Sequence, residues 1–223
     1  MAATRLTVAA ILVAAGSGQR LGADVPKAFC RVRNRTLLEY AHARFADHPD
    51  IGDVIVVAPA DRLDEAKALT GAVVVAGGAT RQASVAAGLA ALDADVDTVL
   101  VHDVARAFVP AAVIDRVLAA VARGADAVIP VRAVTDTIKR VDDAHRVVDT
   151  VDRSTLVAVQ TPQGFRRDVL AAAHAAAASD AATDDAGLVE SYGGTVVVVD
   201  GADESFKITH PWDLVVAEAV AAR

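Results

Sequence analysis

The sequence predicts an α/β domain on a doubly wound, mostly parallel sheet, and two patterns carry that prediction. Short runs rich in Val and Ile recur along the chain and are apolar on both faces, as strands covered by helices on both sides must be. Between most of them stand Ala- and Leu-rich stretches of helical period. A length of 223 residues, 54% of them hydrophobic, is enough for one substantial core, so a single domain over 1–223 is expected.

The elements follow in order. The run "VAAILV" opens the sheet and empties into "AAGSGQRLGADVPK". Arg5 ahead of an apolar stretch loosely resembles a secretory signal, but the run is short, β-branched and ends in glycines, which reads as a strand. No span approaches the ~20 apolar residues of a membrane helix, so a cytoplasmic protein with no membrane partner is expected. Further strands are read at 53–59, 72–78, 97–103, 125–131, 156–162 and 195–201, and helices at 36–46, 61–69, 81–92, 110–123, 166–178 and 211–222. The low-complexity run 171–182 reads as a helix fraying into a loop. One segment breaks the rhythm: "TDTIKRVDDAHRVVDTVDR", 135–153, offers two alternating runs around the turn-like "DDAH". It predicts a projecting β-hairpin arm, too polar for the core, that packs on a subunit partner.

Composition removes several function classes. With 22 basic against 29 acidic residues the net charge is −7, which argues against a nucleic-acid or anionic-membrane surface. The single cysteine, Cys30, permits no internal disulfide and no multi-cysteine zinc site, and reads as a small buried hydrophobe. There is no Ser-His-Asp set, no reactive-thiol context and no paired acid/base carboxylate.

In open α/β sheets ligands sit beyond the carboxyl ends of the strands, so the residues just after each run are the informative ones. After the first strand, Gly16, Gly18 and then Leu21 fail the dinucleotide spacing G-x-G-x-x-G, and no P-loop Gly-Lys-Ser/Thr is present. What remains is a loop whose amides can approach a phosphate chain, with Arg20 as a forked donor and Lys27, behind Pro26, as a point charge. A glycine turn with two solvated cations is the plainer alternative. After the third run, Gly77 and Gly78 allow close backbone approach to a base or ribose, with Arg81 and Ser84 facing back from the next helix. After the fourth, Asp103 suits a magnesium ion, Mg2+, or alternatively caps the helix that starts near Pro110; Arg106 follows it. His102 reads as a packed, hydrogen-bonded ring and not a metal ligand. Later ends supply Thr161 and Lys207, and "TDDAGLVE" reads as a capped helix start with acids in its first turn. Cations, glycines, hydroxyls and one carboxylate select phosphate chemistry driven by positioning and charge, with no covalent enzyme intermediate.

The motifs "AAGSGQRLGADVPK", "GGATRQASV", "VHDVARAFV", "DTIKR", "TVDR", "QTPQGF", "TDDAGLVE" and "FKIT" stand in this order along nearly the whole chain. In this the sequence resembles the 2-C-methyl-D-erythritol 4-phosphate cytidylyltransferases of the non-mevalonate isoprenoid pathway, whose fold is Rossmann-like. The resemblance implies that CTP and Mg2+ bind first and that the phosphate of methylerythritol phosphate attacks the α-phosphorus of CTP, releasing pyrophosphate. It implies Arg20, Lys27 and Lys207 as the catalytic cations. Ala14, Ala15, Gly16, Gly18, Gly78, Arg81 and Ser84 would bind the nucleotide, and Asp103 the metal and the acceptor. Arg106 and Thr161 would hold methylerythritol phosphate together with Lys207, and Thr137 and Arg153 would reach across a homodimer from the hairpin arm. Ala107, Val104, Ala79 and Gly187 depart from common family residues without touching a charge-bearing group. A ribitol 5-phosphate cytidylyltransferase and a non-catalytic nucleotide-binding module stand as alternatives.

Overall fold

The computed structural model describes residues 7–16, 21–22, 25–177 and 182–223. Its strands are β1 (Val8–Val13), β2 (Arg31–Val32), β3 (Arg35–Thr36), β4 (Asp53–Ala58), β5 (Val73–Ala76), β6 (Thr98–Asp103), β7 (Ala127–Ala133), β8 (Ile138–Val141), β9 (Val147–Val151), β10 (Val157–Val159), β11 (Gln163–Arg166) and β12 (Val196–Asp200). The helices are α1 (Leu37–Ala46), α2 (Leu63–Thr70), α3 (Arg81–Ala90), α4 (Ala111–Ala122), α5 (Arg167–Ala176), α6 (Asp185–Tyr192) and α7 (Pro211–Val220).

One eight-stranded sheet runs in the order β10-β7-β11-β6-β1-β4-β5, with β12 also paired to β7. Val131 pairs with Val159 of β10 and with Asp200 of β12, so those two strands occupy opposite edges of β7. The pairings β1·β4, β1·β6, β4·β5 and β7·β12 are parallel. β1 is central, and Ala9, Ala10, Ile11 and Leu12 are completely buried, which is why its sequence shows no polar face. Two apolar layers flank the sheet, one around Phe45, Leu100 and Ile114 and the other around Ile11, Phe165 and Leu170.

Three elements differ from the sequence reading. The run at 156–162 yields only β10, and it is antiparallel to β7. β11 is unforeseen: it lies antiparallel between β6 and β7, where Gly164 allows contact with α4, since a Cβ there would stand 2.4 Å from Val117 Cγ1. The short β2–β3 hairpin is the third, joined to α1 by a reciprocal cap between Thr36 and Glu39. The fraying expected within 171–182 falls in part outside the described residues, since α5 ends at Ala176 and 178–181 are not described. Cys30 is buried, as expected of a small hydrophobe.

The hairpin of the arm forms as read. β8 and β9 pair only with each other, in a separate two-stranded sheet, and His145 in "DDAH" takes the left-handed conformation of a tight turn (φ 58°). Val141, Val147 and Val148 on it are more than half exposed. Among the described residues no helix is long and apolar enough to cross a membrane.

Candidate active site

The carboxyl ends of β1, β5 and β6 open into a cleft of about 740 Å³ lined by Val13–Gly16, Lys27–Ala28, Gly78–Arg81, Ser84, Asp103–Ala105 and Lys207. The loop after β1 is pinned at its start, where Ala14 N donates to Val57 O (2.8 Å). Opposite it, the loop after β5 is pinned by Gly77 N to Ala58 O (2.8 Å). The two loops approach so closely that a Cβ on Gly77 would lie 2.4 Å from Ala15 Cβ. Glycine is required there for space. Ser84 holds the second loop: its hydroxyl accepts from Gly78 N (3.1 Å) and donates to Thr80 O (2.9 Å).

Charge enters from three sides. Asp103, the last residue of β6, accepts from Lys207 Nζ at Oδ2 (2.7 Å) and from Arg81 Nε at Oδ1 (3.2 Å). Burial pushes the Asp103 carboxyl up, but Arg81 and Lys207 outweigh that and hold it well below the usual carboxylate range. Asp103 therefore does not cap the helix after it, which starts behind Pro110 with no side-chain cap. Lys27 follows Pro26 in a single 3-10 turn and donates from Nζ to Ile208 O (2.8 Å). Burial pulls on Arg81 too, yet Asp185 and Asp103 raise its guanidinium above the ordinary arginine value, so it stays charged.

Two predicted residues stand just behind the cleft. Arg106 donates from Nη1 to Ser205 O (2.8 Å) and from Nη2 to Val159 O (3.0 Å). Its charge thus meets two neutral carbonyls, and its Nε is buried without a partner among the described residues. Thr161 is buried, and its Oγ1 accepts from Asp103 N (3.1 Å) and lies 3.0 Å from His102 Nδ1. His102 Nε2 lies 3.3 Å from the Arg106 carbonyl, which can only accept, so that nitrogen carries the proton and the Thr161 hydroxyl donates to Nδ1. The relay locks His102 neutral, as a packed ring.

That lock sets a pH dependence. Burial lowers the His102 pKa from 6.5 to about 3. Between those values the unfolded chain binds a proton that the fold does not. Stability is full above pH 6.5 and falls as the pH drops through the window, by about 1.4 kcal/mol per pH unit for one proton. Urea unfolding between pH 4.5 and 6.5 is expected to show this slope in the wild type and to lose it in His102→Gln; equal slopes would rule the neutral lock out.

The remaining predictions divide. Ala14, Ala15, Gly16, Lys27, Gly78, Arg81, Ser84, Asp103 and Lys207 line one cleft. Gly18 and Arg20 lie outside the described residues. Thr137 and Arg153 are exposed at the base of the arm, where Arg153 Nη1 donates to Thr135 O, and neither lines this cleft. Sequence reasoning missed Asp185, a buried first-turn acid in contact with Arg81, and the Ile208 carbonyl that receives Lys27. Among the described residues no group of three His, Cys, Asp or Glu gathers to hold a metal. Asp103 is the single carboxylate of the cleft lining among the described residues.

The model of the 2-C-methyl-D-erythritol 4-phosphate cytidylyltransferase family matches residues 8–223. The chain belongs to that family. It is thereby a nucleotidyltransferase, and relatives of the same description agree over nearly its whole length. A 2-C-methyl-D-erythritol 4-phosphate cytidylyltransferase of Saccharopolyspora erythraea is 49% identical over 225 residues, covering 97% of this chain and 100% of that one. A bifunctional enzyme IspD/IspF of Clavibacter michiganensis is 50% identical over 222 residues, and there the chain spans 54% of the relative. Among solved structures, the cytidylyltransferase of Thermus thermophilus superposes with a TM-score of 0.82 at 43% identity, covering 96% of this chain and 98% of that one. The 4-diphosphocytidyl-2C-methyl-D-erythritol synthase of Anaerococcus prevotii gives a TM-score of 0.85 at 30% identity, over 99% of this chain and 100% of that one. The mixed sheet is thus one that solved structures of this family match over nearly their whole length.

Proposed function

We propose that this chain transfers CMP from CTP to 2-C-methyl-D-erythritol 4-phosphate, giving 4-diphosphocytidyl-2-C-methyl-D-erythritol and pyrophosphate. The observation that carries the reading is the meeting of Asp103 with Lys207 and Arg81 in a cleft whose facing wall is the main chain of Ala14–Gly16. A phosphate oxygen of the acceptor attacks the α-phosphorus of CTP, and the bond from that phosphorus to the bridging oxygen of the pyrophosphate breaks. No bond to the protein forms, so the protein's work is to orient two anions and offset the charge that concentrates between them.

The main chain of Ala14–Gly16 cradles the triphosphate, joined by Gly18, and Gly78, which packs closely on Ala83 for want of a Cβ, meets the base and ribose with its main chain while Ser84 holds its loop in place. Arg81 binds the nucleotide. Lys27, with Arg20, stabilises the crowded α-phosphate and the departing pyrophosphate. Among the described residues Arg106 has no carboxylate within hydrogen-bond distance, which suits it to an acceptor phosphate, together with Lys207 and with Thr161 as support. The donor set fits a divalent ion: Mg2+ takes one or two carboxylates and completes its shell with phosphate oxygens, and Asp103 supplies the carboxylate. Once bound it would withdraw charge from the phosphates.

The exposed valines of the arm favour a homodimer in which Thr137 and Arg153 complete the neighbouring cleft. A cytoplasmic location goes with this reading, since one buried cysteine asks for no oxidising compartment. The test is pyrophosphate release by the purified protein with CTP and Mg2+, offered methylerythritol phosphate or ribitol 5-phosphate. Release with the first supports the proposal. Release only with the second moves the acceptor to ribitol 5-phosphate, and silence with both refutes transfer.

A further inference from the structure

Two adjacent aspartates open α6, and they do different things. Asp184 caps the helix, accepting from Gly187 N at Oδ1 (3.0 Å), and takes Gln163 Nε2 on Oδ2 (2.6 Å). Asp185 has no capping duty, yet it is 1% exposed, on a helix whose Leu188 and Val189 are also buried. A carboxylate buried so deeply must be paired to be tolerated. Its partners are Arg81 Nη1 at Oδ2 (2.6 Å) and His174 Nε2 at Oδ1 (3.0 Å).

Arginine frequently pairs with one carboxylate through two parallel bonds from an edge of its planar guanidinium. Arg81 does otherwise. It divides its fork, with Nη1 on Asp185 and Nε on Asp103, so one guanidinium ties a buried anion outside the cleft lining to the anion at the cleft's centre. This leaves Nη2 with no hydrogen bond to any described residue, on a side chain that lines the cleft and is 27% exposed. The result is a connected chain in which His174 contacts Asp185 and charge alternates from Asp185 through Arg81 and Asp103 to Lys207, contributed by α5, α6, α3, β6 and the loop before α7.

We infer that Asp185 is a positioning residue for nucleotide binding: it draws one amino group of Arg81 away from Asp103 and so presents Nη2 to the triphosphate or ribose of CTP. The inference rests on the reading of the cleft as the CTP site. Without the Asp185 charge, Arg81 has one carboxylate left and closes onto it with both arms. Nη2 is then spent on Asp103, and the Asp103 carboxylate is masked.

The experiment is a double-mutant cycle on CTP affinity, measured by calorimetry with Mg2+ present, using wild type, Asp185→Asn, Arg81→Gln and the pair. Asp185→Asn is expected to weaken CTP binding by about tenfold or more, the worth of a charge-assisted hydrogen bond. In the Arg81→Gln background the same change is expected to cost less than about twofold, because the residue it acts through is gone. A structural role would lower both backgrounds alike, and equal losses overturn the inference. Arg81→Lys tests it without touching Asp185: a point charge cannot span two carboxylates, so CTP is expected to bind as weakly as in Arg81→Gln. Wild-type affinity in Arg81→Lys overturns the inference and leaves the reading of the cleft intact. A wild-type protein that does not bind CTP overturns both.

Discussion

Replacing Lys27 with alanine is expected to slow CMP transfer by about 100- to 1,000-fold, the usual loss when one preorganised charge at a developing oxyanion is removed. The fall should appear in kcat more than in the KM for CTP. As the acceptor oxygen closes on the α-phosphorus, negative charge gathers there and on the departing pyrophosphate, and an interaction that strengthens on the way to the transition state raises kcat. The fold should survive, because in the turn Lys27–Phe29 the packing comes from the buried Ala28 and Phe29. Steady-state kinetics with circular dichroism as a control decides it. A rise in KM at unchanged kcat would reduce Lys27 to a residue that binds nucleotide equally in ground and transition states. Lys27→Arg is expected to restore little, since a forked cation does not replace a point charge in a confined turn.

Asp103→Asn is expected to cost about a thousandfold or more in kcat, because the change removes the single carboxylate that lines the cleft among the described residues, and with it the proposed anchor for a divalent ion. The amide keeps the shape, so the loss is one of charge. Arg81 retains Asp185 as a buried partner, and Lys207, being 42% exposed, turns to water. The variant should therefore melt cooperatively. Near-wild-type turnover would refute the assignment.

The strands of the parallel core were legible because burial on both faces leaves a continuous Val and Ile run. β11 was not, since Gln163, Gly164 and Arg166 are poor strand formers and Phe165 is the segment's only large apolar residue. Its state is fixed by hydrogen bonds to β6 and β7, a tertiary cause that no local pattern carries. The cleft followed the same division. Lys27, Asp103 and Lys207 were visible as charges at strand ends, where a sheet of this topology places its ligand. Thr161 was visible as a hydroxyl, but its commitment to Asp103 N and to His102 needed the folded chain. Asp184 and Asp185 read alike as first-turn acids, and only the approach of α3 separates the cap from the buried anion.

The bonds to Lys27 and Arg106 are received by main-chain oxygens, of Ile208 and Ser205, within four residues of each other. Side-chain exchange at those two positions does not remove either acceptor, whereas inserting or deleting one residue between them would shift the two carbonyls relative to each other and break the pair. Natural drift is therefore free, as far as these bonds go, to rewrite the letters of this stretch but not its length. A one-residue insertion or deletion between Ser205 and Ile208 is expected to cost activity even where the Lys207 side chain is kept.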